Sequence, residues 1–233
     1  MRGGYTKRKL NKLLKKCREK AFTFCRGIKR YFVRRSVKNR DFTIISNNCW
    51  AGRVYSYLDM PYLSPTAGLY FFAQDYIKFV SNLKYYLDTP LEFIDAKDSK
   101  YYEILKERNQ LDKPIGILRD VEIVFLHYKS REEALEKWNR RKERVNFDNI
   151  YLKFSPMNLC EETHLKSFDE LPFENKVMIV DQGRKGKYKC AVYYKGSVKN
   201  GELISDTEPF PGTVSLKKIL KKSALKYPAE GLK

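Results

Sequence analysis

Asp41-Phe42-Thr43-Ile44-Ile45-Ser46-Asn47-Asn48-Cys49-Trp50-Ala51-Gly52 is the stretch on which the fold turns. Phe42 to Ile45 is a short run of β-branched and aromatic residues, the kind that suits a pleated, buried surface. It ends in a polar loop, and the spacing from Val54 to Leu58 predicts a helix just beyond. Strand, polar loop and helix form the opening unit of an α/β fold, in which ligands bind beyond the carboxyl ends of the strands.

The rest of the chain agrees. Ser64-Pro65-Thr66-Ala67-Gly68 reads as a turn, and Gln74 to Leu87 has helical spacing through Tyr76, Ile77, Val80, Leu83 and Leu87. Leu91–Ile94 reads as a strand, and the polar stretch 95–113 as a loop. Pro114–Leu118 and Val121–Tyr128 read as a hairpin or bent strand broken at Arg119-Asp120. Ser130 with Glu133 three residues on is a capping box that opens a helix running to Arg144. Strands are expected at Ile150–Phe154, Lys176–Val180 and Lys189–Tyr194, with a short helix near Glu161–Phe168 and a turn at Gly183–Gly186. Phe210-Pro211-Gly212 breaks the chain before a basic helix around Ser215–Leu225. The expectation is one α/β domain over residues 41–205 with a mixed, partly parallel sheet and flanking helices, followed by a basic tail, 206–233.

Residues 1–40 form a basic arm before that domain. They hold sixteen Lys and Arg against one acid, Glu19, and so carry +15 of the chain's formal net charge of +19. Leu10, Leu14, Cys17, Ala21, Phe24, Cys25, Ile28 and Phe32 recur at helical spacing, predicting an amphipathic helix with a cationic remainder. Such a helix suits an anionic bilayer, where each Lys or Arg near the surface contributes about 1 kcal/mol. The rivals are nucleic acid, disfavoured as a partner, and packing of the stripe on the chain's own domain. No apolar run approaches the ~20 residues needed to span a bilayer, and no signal core follows the basic N-terminus. A cytoplasmic protein, peripheral at the inner face of the membrane, is expected.

The five cysteines (17, 25, 49, 160, 190) are scattered, which suggests neither a zinc ribbon nor a disulfide framework. There is no Gly-rich phosphate loop, no Gly-x-Ser-x-Gly elbow and no Asp-x-Asp pair, so no cofactor or metal is expected. Cys160-x-x-x-His164 could put two ligands on one helical face, but two ligands do not make a site. Cys49 is the candidate nucleophile, since a helix N-terminus behind it would favour thiolate. Asn47 or Asn48 could donate to an oxyanion. His127, at the end of the Val121–Leu126 run, is the candidate base. Arg140, Arg141 and Arg144 could fork onto phosphate or carboxylate. The opposing reading makes Cys49 a small buried residue, the Asn pair a helix cap, His127 structural and the arginines a solvated face with Trp138 in the core.

At these residues the chain resembles a bacterial family labelled exopolysaccharide biosynthesis protein, found among capsule and surface-glycan genes. The resemblance rests on Ile44 through Gly52, on Ser64-Pro65-Thr66-x-Gly68-Leu69, and on Asp75-Tyr76 with Asn82-Leu83-Lys84-Tyr85-Tyr86-Leu87. It continues through Pro114-Ile115-Gly116, His127-Tyr128-Lys129, Ala134, Trp138, Arg140-Arg141, Arg144, Asn146, Lys153-Phe154 and Leu171-Pro172-Phe173. It spans about residues 41–195, with Ala51-Gly52 where the family commonly has Gly-Gly. More distantly the chain is similar to papain-like cysteine peptidases, which pair an early Cys after a strand with a later His. That likeness maps onto Cys49 and His127.

The resemblance implies an enzyme of surface-polysaccharide assembly, a glycan-modifying or acyl-type transferase at the membrane face. Cys49 and His127 would be catalytic with Asn48. Asn47, Trp50, Ser64, Lys129, Arg140, Arg141 and Arg144 would hold a glycan or lipid-linked glycan. The alternative is a non-catalytic module docked on membrane or nucleic acid. The arm would decide where the protein works and stand apart from its chemistry, and the oligomeric state is left open.

Overall fold

The computed structural model describes residues 27–28 and 30–206. Strand β1 (Thr43–Ser46) pairs in parallel with β5 (Ile150–Phe154), which pairs with β6 (Lys176–Val180), which pairs with β7 (Ala191–Tyr193). The resulting four-stranded sheet, order β1-β5-β6-β7, is parallel throughout. Its central strands are buried on both faces, which is why they read as continuous apolar runs.

The connection from β1 to β5 carries a second sheet. There β2 (Glu92–Ile94), β3 (Ile115–Leu118) and β4 (Val121–Val124) run antiparallel, and the β3–β4 hairpin turns with Arg119 at φ 59°. The α/β architecture expected from the sequence is therefore the one adopted, with parallel and antiparallel pairing kept in separate sheets. A small third sheet, β8 (Val198–Lys199) with β9 (Glu202–Leu203), turns at Asn200-Gly201, both at positive φ. That dipeptide is a strong hairpin signal which the expected elements had missed.

The helices are α1 (30–36), α2 (Trp50–Leu58), α3 (Ala73–Ser81), α4 (Leu83–Asp88), α5 (Tyr102–Glu107), α6 (Arg131–Lys142) and α7 (Glu162–Glu170). Two expectations need correcting. The single helix over 74–87 is two helices, broken at Asn82 (φ −135°, ψ 56°). The loop over 95–113 contains α5, because Tyr101, Ile104 and Leu105 form an apolar stripe that packs on Tyr70, Phe72, Ile115 and Val124. Polar neighbours hid that stripe.

The main core is an aromatic layer of Phe71, Tyr76, Phe79, Phe125, Trp138, Phe154 and Phe168. Tyr76 anchors it to the parallel sheet by donating its hydroxyl to Ile45 O and Lys153 O, both at 2.9 Å. Residues 67–71 strap the two sheets together. Tyr70 exchanges backbone hydrogen bonds with Val124, the Phe71 N–H donates to Asn47 O, and the His127 N–H donates to Gly68 O.

The described part of the arm packs on the domain with one face. Val33 and Val37 turn inward. Arg30 Nε and Arg34 Nε donate to Tyr57 O, Arg30 Nη2 to Ser56 O and Arg40 Nη2 to Leu58 O. Three guanidiniums thereby satisfy the last-turn carbonyls of α2, where the helix dipole favours cations. Ile28, Tyr31 and Phe32, at i, i+3 and i+4, remain exposed on the other face. The arm residues Leu10 to Cys25 and the tail helix at 215–225 lie outside the described residues.

Candidate functional site

Cys49 precedes α2, at the carboxyl end of β1, and His127 follows β4, at the edge of the other sheet. The strap at 67–71 brings them to one cavity of about 500 Å³, lined also by Arg30, Gly52, Arg53, Ser56, Tyr57, Tyr62, Ala67, Gly68, Tyr128, Lys137 and Arg141. Its wall holds four permanent cations, and no Asp or Glu lines it. His127 is exposed on the rim, and Cys49 is half-buried. The candidate nucleophile and base come from separate sheets.

Gly68 makes this approach possible. Its φ of +85° is a left-handed conformation, and a Cβ there would meet the Tyr128 ring at 3.1 Å. Tyr128 donates its hydroxyl to Ala67 O at 2.5 Å, while Arg141 Nη1 donates to Ala67 O at 3.0 Å and to the Tyr128 oxygen at 2.6 Å. Arg141 is 7 % exposed, with its guanidinium 4.7 Å from the centre of the Tyr62 ring. It thus faces the cavity already held in place.

The Cys49 thiol is not pre-ionised, as its place at a helix start had suggested. Burial pushes it up to about 11, against the opposing pull of Arg53, and Sγ donates to Leu69 O at 3.6 Å. A base is therefore required before it can act as a nucleophile.

Asn47 and Asn48 are not oxyanion donors, because their amides are committed to a buried network below the cavity. Asn47 Nδ2 donates to Ser155 O, and Asn48 Nδ2 to Asp206 Oδ2 and Met157 Sδ. Their carbonyl oxygens accept from Lys153 Nζ at 3.2 and 3.1 Å. Lys153 also donates to Ser155 Oγ and pairs with Asp206, both side chains 1 % exposed. Asn48 Oδ1 further accepts from the Trp50 N–H, and Ser46 Oγ from the Ala51 N–H, which leaves the Gly52 N–H as a first-turn donor at the cavity wall.

Other expected contacts fall elsewhere. Trp50 is in the core with Phe42, Ile44 and Val54. Ser64 is fully buried and bonds Thr66, whose Oγ1 accepts from the Ser46 N–H and covers the free edge of β1. Lys129 is exposed, and its N–H donates to Glu133 at the start of α6. Arg140 pairs with Glu136 on the solvent side, and Arg144 donates to Tyr62 O. Of Arg140, Arg141 and Arg144, only Arg141 is buried beside Trp138 and reaches the cavity. His164 accepts from the Glu161 N–H and caps α7, and among the described residues no cluster of metal-ligating side chains occurs. No helix among the described residues is long and apolar enough to cross a membrane. Arg30, Arg53, Tyr62 and Lys137 were missed: charged residues at solvated-looking positions give no signal of their own until the fold brings them together.

Fold and cavity together define an α/β protein with a cationic, Cys- and His-lined site at the mouth of a parallel sheet. The chain belongs to the family described as a domain of unknown function (DUF1919), which matches residues 21–225. The matched span takes in the second half of the basic arm. An uncharacterized protein of Haemophilus influenzae is 33 % identical over 187 residues, covering 78 % of this chain and 84 % of that protein.

Proposed function

We propose that the protein is a transferase of surface-polysaccharide assembly, modifying a glycan or lipid-linked glycan through Cys49 at the cytoplasmic face of the membrane. The observation carrying this reading is that Cys49 and His127, from different sheets, line one cationic cavity. The motifs that resemble exopolysaccharide biosynthesis proteins supply the pathway. In the proposed step His127 takes the Cys49 proton as Sγ attacks the carbonyl carbon of an acyl donor, and the proton passes to the leaving group as the thioester forms. An acceptor hydroxyl then gives its proton to His127 and attacks the thioester, and the departing thiolate regains a proton. Gly52, in the first turn of α2 and on the cavity wall, offers a backbone N–H to the developing oxyanion in this step. The exposed Ile28, Tyr31 and Phe32 among arginines support docking on anionic lipid.

A second reading is a binding module in which Cys49 only lines the cavity; its raised pKa and its bond to Leu69 O favour this one. Mass spectrometry of the surface glycan decides between the two. In cells carrying Cys49→Ala, with the protein folded and present at normal level, loss of one glycan substituent supports the transferase, and an unchanged glycan supports the module. Sedimentation with vesicles of phosphatidylcholine and phosphatidylglycerol tests docking: the full chain should pellet, and a chain lacking residues 1–29 should not.

A further inference from the structure

We infer that the cavity is a phosphate clamp, and that the molecule it takes carries a phosphate or diphosphate ester held by Arg141, Lys137, Arg53 and Arg30. This deepens the reading above and rests on it only in placing the substrate in the same cavity. No carboxylate lines the cavity, and although Lys137 pairs with Glu133 just outside it, the three arginines alone are more positive charge than a neutral sugar or a single carboxylate would use. A phosphate monoester brings nearly two negative charges and three acceptor oxygens. A cavity of about 500 Å³ has room for a sugar-phosphate-sized group.

Arg141 carries the argument furthest. Its Nη1 is used by Ala67 O and the Tyr128 hydroxyl. Its Nε and Nη2 meet no acceptor among the described residues, although the side chain is nine-tenths buried. A guanidinium fixed by one nitrogen, stacked near Tyr62 and left with two open donors has the fork geometry that suits a phosphate. Lys137 and Arg141 lie four apart on α6, on the same helical face, while Arg53 comes from α2 and Arg30 from α1. The arm therefore contributes a side chain to the site, contrary to the expectation that it stood apart from the chemistry.

Isothermal titration of the full chain with inorganic diphosphate, inorganic phosphate and chloride at constant ionic strength tests this. Diphosphate should bind saturably and more tightly than phosphate, with chloride showing no binding heat. Arg141→Gln and the double variant Arg53→Gln/Lys137→Gln should each weaken diphosphate at least about tenfold, the loss expected for a hydrogen bond to a charged group. Arg140→Gln, on the solvent face, should bind as wild type does. Because the double variant changes exposed and half-buried side chains, it answers even where Arg141→Gln misfolds. Repeating the titration with phosphatidylglycerol vesicles separates the sources: competition by diphosphate for the vesicles points to a lipid-borne phosphate, and independent binding to a soluble one. Absent diphosphate binding, or binding unchanged in the double variant, overturns the clamp. The glycan phenotype of Cys49→Ala would still stand or fall separately.

Discussion

Replacing Asp206 with Ala removes the carboxylate that faces Lys153 and leaves an ammonium in a site where both partners are 1 % exposed. Lys153 would keep the carbonyl oxygens of Asn47 and Asn48 and the Ser155 hydroxyl, all neutral acceptors. Breaking one half of a buried ion pair costs about 3–5 kcal/mol, because the remaining charge is uncompensated. In a chain of 233 residues that lowers Tm by roughly 6–20 °C. The double variant Lys153→Met/Asp206→Leu removes both charges and should recover most of the loss, retaining a deficit of about 1–2 kcal/mol from the unpaired Asn carbonyls. Urea unfolding of wild type, Lys153→Met, Asp206→Leu and the double variant closes the cycle, with a coupling of at least about 2 kcal/mol expected. Additive losses would refute the pairing.

The pH dependence adds a second check on the same pair. Burial alone would raise the Asp206 carboxyl, but Lys153, Ser155 and Asn48 hold it below its ordinary value. A carboxylate depressed in the fold contributes stability above its unfolded pKa, about 3.9, and loses it as pH falls through the folded value. Asp206→Ala should therefore flatten the loss of stability below about pH 4. Burial lowers Lys153, so the fold binds fewer protons there than the unfolded chain. The deficit of Asp206→Ala should narrow as pH rises toward about 10, and a constant deficit across that range would count against an uncompensated ammonium.

Three further outcomes follow from the site. Alkylation of Cys49 by iodoacetamide should accelerate with pH without levelling off below about 10, since the thiol is pushed up to about 11; a plateau near neutrality would show a thiolate the packing does not support. Gly68→Ala should cost more than about 1 kcal/mol in thermal melts, because the φ of +85° and the 3.1 Å approach to Tyr128 both oppose a Cβ; an unchanged Tm would mean the strap is looser than its hydrogen bonds indicate. Arg34→Ala should lower stability by about 1 kcal/mol through the last turn of α2, where it donates to Tyr57 O, read as a shift in urea midpoint with unchanged m.

The backbone of this fold was legible wherever one local rule decided the outcome. Thr43 to Ser46 is a strand because β-branched residues there are buried on both faces. Ser130 starts α6 because its Oγ accepts from the Glu133 N–H at 3.2 Å. That Cys49 and His127 line one cavity could not be read locally, since nothing local says that a strap at 67–71 will bind Asn47 on one side and Val124 on the other. Asn47 and Asn48 misled for a related reason. An amide in a loop after a strand looks available, and only the arrival of Lys153 from β5 and Asp206 from beyond β9 shows it is used.

The same contrast explains the arm. Its charge is obvious in sequence, and a uniformly cationic helix with an apolar stripe reads as an attachment device. Packed on the domain, its positions separate by face. Val33 and Val37 are covered, Arg30 and Arg34 reach the end of α2, and Ile28, Tyr31 and Phe32 stay outward. Arg30 belongs to both faces, since it holds Ser56 O and Tyr57 O while lining the cavity. On the proposals above, a helix that docked on lipid through one face and completed an anion site through another would couple location to substrate. Arg30→Gln should then weaken diphosphate binding while leaving vesicle sedimentation intact, because the exposed apolar face is unchanged. Loss of both together would mean that Arg30 positions the whole helix, and loss of neither would return the arm to a tether.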